Sequence, residues 1–304
     1  MSNSNILFLD NAKLGKNNWW RYLITIILSL LIASVVAGAL LGVFIVIGIL
    51  IFKQSFNVDL IYQLLEEPIF LIFLVGLSFS ISFIFLYLCT SILHKKEFIS
   101  LINTKNKVRW NRIAKGAGAW LFIIAAFDLL SYFIGPTGFK ISFNFQKFWI
   151  LVILALIAFP IQASFEEVFF RGYLMQGISL IFKKPVWVLL ISALTFSLLH
   201  WWNAGTVIMS ISIVMSTFII GLVLGIIVLA DNGIEMAMGV HIINNFYVSV
   251  IHSSPEGGLG NLPSIFISNT DPYTSPIFLG LAAIILIYVL FINKIEDVLK
   301  IFKN

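Results

Sequence analysis

Nine strongly polar or ionisable side chains lie inside stretches that otherwise read as lipid-buried: Asp128, Glu166, Glu167, Arg171, His200, Glu235, His241, Asn244 and Asn245. An ionisable group at that depth costs about 2.5 kcal/mol or more to insert, so each calls for a partner or a function. Glu167 and Arg171 stand at i and i+4 and can pair on one helix face. Glu166 points about 100° away and is free to face a different neighbour. One arginine needs only one carboxylate, and an unpaired buried charge is expensive. The pair therefore reads as structural and Glu166 as a base. The alternative is that both carboxylates neutralise Arg171.

His200 follows in Phe196-Ser197-Leu198-Leu199-His200, and His241-Ile242-Ile243-Asn244-Asn245 sets His241 and Asn245 at i and i+4. Counted from Lys183 and Lys184, Glu166 and His200 both lie about 25 Å from the same end of two antiparallel helices, so they can share one level. His241 is only about 15 Å from Asp231, and a short or tilted helix is needed to bring it to Glu166. A carboxylate in an apolar cavity is a stronger base than one in water, and an imidazole with an amide on one face offers donors for an oxyanion. The plainer readings are an interfacial His200 beside Trp201-Trp202 and a His241–Asn245 packing contact between helices. No Ser or Cys pairs obviously with these histidines, which favours direct hydrolysis over an acyl-enzyme.

The elements that must hold these groups follow from composition. The chain has 304 residues, 60% hydrophobic and 11% charged, against about 25% charged in soluble domains. Several apolar runs exceed the roughly 18 residues needed to cross a bilayer, and such runs satisfy their backbone as helices. The fold class is therefore all-α, a polytopic membrane protein with about eight spans, near 22–52, 69–93, 118–135, 148–182, 186–202, 206–230, 233–251 and 276–293. The first is too long for a signal-peptide core and reads as a retained span. Cys89 is the one cysteine, so no disulfide forms within the chain.

Fifteen Lys and Arg fall in segments placed inside and three, Lys53, Lys140 and Lys147, in segments placed outside. The positive-inside rule then puts both termini in the cytoplasm. That distribution accounts for the net charge of +5 without nucleic acid, for which no binding motif is present. The basic stretch His94 to Lys115 separates a two-span region, 1–117, from a core, 118–304, that holds the buried polar residues. It reads as an orientation signal, with attraction to anionic lipid as the alternative. Small residues Gly233, Ala237 and Gly239 let the seventh helix approach its neighbours closely. No internal repeat is visible, which disfavours a proton-coupled transporter built on inverted repeats.

In order on successive helices, Glu166-Glu167-x-x-x-Arg171, Phe196-x-x-x-His200 and His241-x-x-x-Asn245 resemble the three motifs of the CAAX protease and bacteriocin-processing (CPBP) family, glutamate-dependent intramembrane endopeptidases. The continuation Phe170-Arg171-Gly172-Tyr173-Leu174 is also family-like, and the resemblance covers about 148–250. It implies that Glu166, assisted by His200, activates water, and that His241 and Asn245 stabilise the oxyanion. It also implies that no metal or other cofactor takes part. A zinc site on Glu166, His200 and His241 is the competing chemistry. The expected partners are a membrane-associated peptide or protein substrate and the lipid bilayer, in a bacterial plasma membrane. Outside enzymology, a non-catalytic bacteriocin-immunity or scaffolding protein that keeps the pocket is the alternative.

Overall fold

A computed structural model describes residues 7–51, 57–135 and 138–303. Six helices are long and apolar enough to cross a membrane: α1 (Trp19–Ile51), α2 (Pro68–Leu93), α3 (Trp110–Ile134), α4 (Phe145–Ser179), α5 (Pro185–Leu198, with the following turn to Asn203) and α6 (Val207–Asp231). The site-bearing α7 (Glu235–Phe246) follows and continues as the π turn Tyr247–Ile251. Then come α8 (Ser275–Phe291) and α9 (Ile295–Lys303), bent 115° to each other, which together make a possible seventh span. The all-α polytopic class holds, but a count of eight does not follow. The expected span 233–251 corresponds to α7, too short and too polar to qualify as a span by itself. Residue 52 and Lys53 lie outside the described residues.

Local chemistry sets the ends. Pro68, Pro185 and Pro276 occupy first turns, where a missing N–H costs nothing. The Asn144 side chain caps α4 by accepting from Lys147 N–H at 3.0 Å, and Thr206 caps α6 by accepting from Met209 N–H. Asn232 stops α6 in the left-handed region, at φ 53°. α3 begins at Trp110, eight residues before the expected span, because its charged first turns are partnered. Arg112 pairs with Asp231 at 3.3 Å, and Lys115 Nζ donates to the Leu290 carbonyl. Position 117 therefore falls within α3.

Two close approaches fix α7 on α3. Gly116 lies against the Met236 carbonyl and Gly239 against the Ile113 carbonyl, and a Cβ at either would overlap backbone oxygen. The main core packs Phe165, Val168, Phe169, Phe170 and Tyr173 of α4 against Phe196, Leu224 and Val240. At the end opposite the basic stretch, three two-residue strands form a small sheet in the order β1 (Lys140–Ile141), β3 (Phe266–Ile267), β2 (His252–Ser253). β1 and β3 are antiparallel, whereas β2 and β3 are parallel.

The basic stretch is built into the fold. His94 bonds through Nε2 to Tyr173 Oη at 2.8 Å and through Nδ1 to the Lys16 carbonyl. Asn103 and Arg109 both bond Glu235 at the start of α7, and Gly233 bridges Asn103. Lys96 donates to the Asn11 carbonyl at 2.7 Å and to Gln176 at 2.6 Å, tying the N-terminal segment to the end of α4. Burial lowers the Lys96 ammonium to about 8. Below that value the folded state holds the charge at a penalty. Between about 8 and 10.5 the unfolded chain binds more protons, so Lys96 raises stability with pH. The melting temperature of wild type relative to Lys96→Met should therefore rise from pH 7.5 to pH 10. A constant difference would reject the coupling.

Candidate active site

The charged centre is carried by the end of the α-helical part of α4, at Glu166, and by the eight-residue π segment Glu167–Leu174 that follows. π turns inside α-helices recur at functional sites, because the widened turn re-aims side chains. Arg171 donates through Nη1 to Glu167 Oε1 at 2.8 Å, both side chains being fully buried. The guanidinium also lies over the Phe196 ring at 4.4 Å, and Nη2 makes a long 3.4 Å bond to the Gly221 carbonyl.

His241 enters from α7 between the two carboxylates. Its Nδ1 is 2.7 Å from Glu167 Oε1. That carboxylate already accepts from Arg171, so Nδ1 is the donor and the tautomer is set. Nε2 then faces Glu166 Oε2 at 3.3 Å, off the line of a hydrogen bond. The expectation that Glu166 and Glu167 face different neighbours is thus corrected: one imidazole presents a nitrogen to each. His241 reaches both carboxylates from the second turn of α7, whose start is held by Asn103 and Arg109 on Glu235.

Glu166, His200, His241, Asn244 and Asn245 line one cavity of about 490 Å³ between α4, α5, α6 and α7. His200 Nδ1 donates to the Phe196 carbonyl at 2.8 Å, which leaves Nε2 as an acceptor. His200 and Glu166 share the cavity without bonding each other. Asn245 Oδ1 accepts from Asn244 Nδ2 at 3.3 Å, leaving its own NH₂ as a donor, and Trp120 Nε1 donates to Asn244 Oδ1 at 3.1 Å. Among the described residues, Glu166 Oε2 and Glu167 Oε2 are buried side-chain oxygens with no hydrogen-bond partner. No group of three His, Cys, Asp or Glu side chains among those residues is arranged to hold a metal ion.

Gln162 is a site residue that the motif reading omits. Its Nε2 donates to Glu166 Oε1 at 3.4 Å from one turn earlier, and it lines the cavity. A polar residue at i−4 on the Glu166 face was the available signal. Gly258 and Leu259 also line the cavity, from the long 252–274 connection, and no local pattern in the sequence places them there.

Gly172 supports the centre from behind. A Cβ there would strike the Leu101 carbonyl oxygen of the short turn Phe98–Leu101. Gly172→Ala should lower stability by about 1–3 kcal/mol through overpacking against backbone. A thermal melt in detergent matching wild type would show that the turn yields.

Residues 145–247 match the family model described as type II CAAX prenyl endopeptidase Rce1-like. The chain is also 28% identical over 257 residues to the uncharacterized protein YyaK of Bacillus subtilis (strain 168), covering 83% of this chain and 84% of that protein. No solved structure matches. The three motifs lie within the family-matched stretch, and the relative is consistent with the CPBP resemblance drawn from them. At the family level, the match supports an intramembrane CAAX-type protease.

Proposed function

We propose that the protein is a glutamate-dependent endopeptidase that hydrolyses a peptide bond of a membrane-associated protein or peptide in the 490 Å³ cavity. The observation that carries this reading is the unpartnered Glu166 carboxylate oxygen on a cavity wall shared with His200, His241 and Asn245. In this mechanism a substrate water donates one hydrogen bond to the Glu166 carboxylate and another to His200 Nε2. Glu166 takes its proton as the water oxygen attacks the carbonyl carbon. The proton then passes to the leaving amine as the C–N bond breaks, restoring the carboxylate.

Charge balance favours this arrangement. Arg171, Glu167, His241 and Glu166 sum to zero when one proton is carried by either His241 Nε2 or Glu166. When that proton is on His241, Glu166 is the free base and Nε2–H is a donor toward the cavity. Protonation of Glu166 by water then leaves the set one charge positive, which opposes the charge of the oxyanion. Nε2–H and the Asn245 amide are the donors for it. Glu167 orients His241 as a buried carboxylate orients an imidazole base. The mechanism uses no metal.

The same reading places the chain in a bacterial plasma membrane with both termini cytoplasmic. The asymmetry of Lys and Arg and the bacterial relative support it. The test is to reconstitute the enzyme and its Glu166→Ala variant with a solubilised membrane-protein mixture and compare the peptides released. Products present only with wild type identify the substrate. Identical peptide sets would overturn the proposal.

A further inference from the structure

A second polar cluster lies at the end of the bundle that carries the small sheet, and its cavity adjoins that of the Glu166 centre, with Thr217, Ile220, Asn244 and Val248 in both walls. Asp128 of α3 accepts from His252 Nδ1 at 2.7 Å, and His252 Nε2 lies 2.6 Å from Ser268 Oγ. Tyr247 Oη donates to the same Asp128 oxygen at 2.8 Å. The order carboxylate, imidazole, hydroxyl is that of an activated serine, recognisable by geometry whatever the order along the chain.

The backbone holds this set in place. His252 opens β2 and pairs with Phe266 of β3, while Ser268 N–H just beyond β3 donates to the Ser253 carbonyl at 3.1 Å. The Phe139 ring packs on the imidazole at 4.8 Å. With Asp128 on Nδ1, the imidazole keeps Nε2 as acceptor for the serine proton. Asp128 and His252 also line an apolar cavity of about 500 Å³ walled by Trp120, Phe127, Phe278 and Leu279, a size that suits a small lipid-like ligand. Thr270, two residues past Ser268, lines it as well.

We infer that Ser268, His252 and Asp128 form a second, serine-dependent hydrolytic site for esters whose apolar acyl chain occupies this cavity and whose carbonyl lies at its polar rim. Ser268 Oγ attacks the carbonyl carbon while its proton passes to His252 Nε2. The imidazolium returns that proton to the leaving alkoxide as the ester C–O bond breaks. Water then attacks the acyl-serine, giving one proton to His252, and the acid is released as Ser268 Oγ is reprotonated. The balance is ester plus water to acid plus alcohol.

The test treats the full-length protein, in detergent, with an alkyl fluorophosphonate and maps the modified serine by mass spectrometry. A medium-chain p-nitrophenyl ester is followed in parallel. Phosphonylation should fall on Ser268 and slow by roughly a hundredfold in His252→Gln. Ester hydrolysis should be lost in Ser268→Ala, a change of one oxygen that keeps the wild-type melting temperature. An unmodified Ser268 in wild type, a modification rate unchanged in His252→Gln, or equal ester hydrolysis in Ser268→Ala would overturn the inference. Any of these would leave the cluster as a latch for the 252–274 connection.

Discussion

Glu166→Gln should abolish peptide-bond hydrolysis, lowering turnover by roughly a thousandfold or more, while the melting temperature stays near that of wild type. The amide keeps the volume of the side chain and can still meet Gln162 and His241. What it loses is the capacity to take a proton from water. Stability should change little, because with the amide in place a neutral His241 leaves Arg171 and Glu167 balanced and no charge stranded, and the oxygen that faces His241 makes no hydrogen bond in the resting fold. Cleavage of a defined substrate by the reconstituted variant, beside its thermal melt, checks both halves. Undiminished turnover would remove Glu166 from the chemistry.

The neighbouring change should behave in the opposite way. Glu167→Ala leaves Arg171 fully buried without its carboxylate and deprives His241 Nδ1 of its acceptor. Breaking a buried pair by removing one partner costs about 3–5 kcal/mol, most of it from the stranded charge. We expect a large fall in melting temperature, partly recovered in the double variant Glu167→Ala, Arg171→Met, where no charge is stranded. Equal loss of fold in the Glu166 and Glu167 single variants would reject the division between them.

Much of this centre is legible in the sequence, for identifiable reasons. The i, i+4 spacing of Glu167 and Arg171 survives the π segment, so helix-face reasoning finds the contact. The levels of Glu166 and His200 follow from the short connection between α4 and α5, and both side chains reach the same cavity. The approach to His241 was harder to read. It depends on Asn103 and Arg109, residues that reading by span assigns to a surface loop, and on an imidazole able to bridge two carboxylates. The Asp128–His252 contact joins positions 124 residues apart, and no local pattern encodes it. A count of eight does not follow from the structure, because apolar length alone does not separate a spanning helix from one enclosed by its neighbours.

That enclosure bears on how the chain is made. α7 carries Glu235, His241, Asn244 and Asn245, and ionisable groups near a helix centre add about 2.5–3.5 kcal/mol each to partitioning from the translocon. Such a segment has little reason to leave the insertion channel alone. Its glutamate is received by Arg109 and Asn103, and its glycine face by Ile113 of α3, all synthesised more than a hundred residues earlier. His241 thus arrives after the helices that carry Glu166 and His200, at a docking face on α3 that is already made. The buried polar centre is completed only as this helix docks, and a nascent chain lacking α7 carries Glu166 and Glu167 without the imidazole that faces them both.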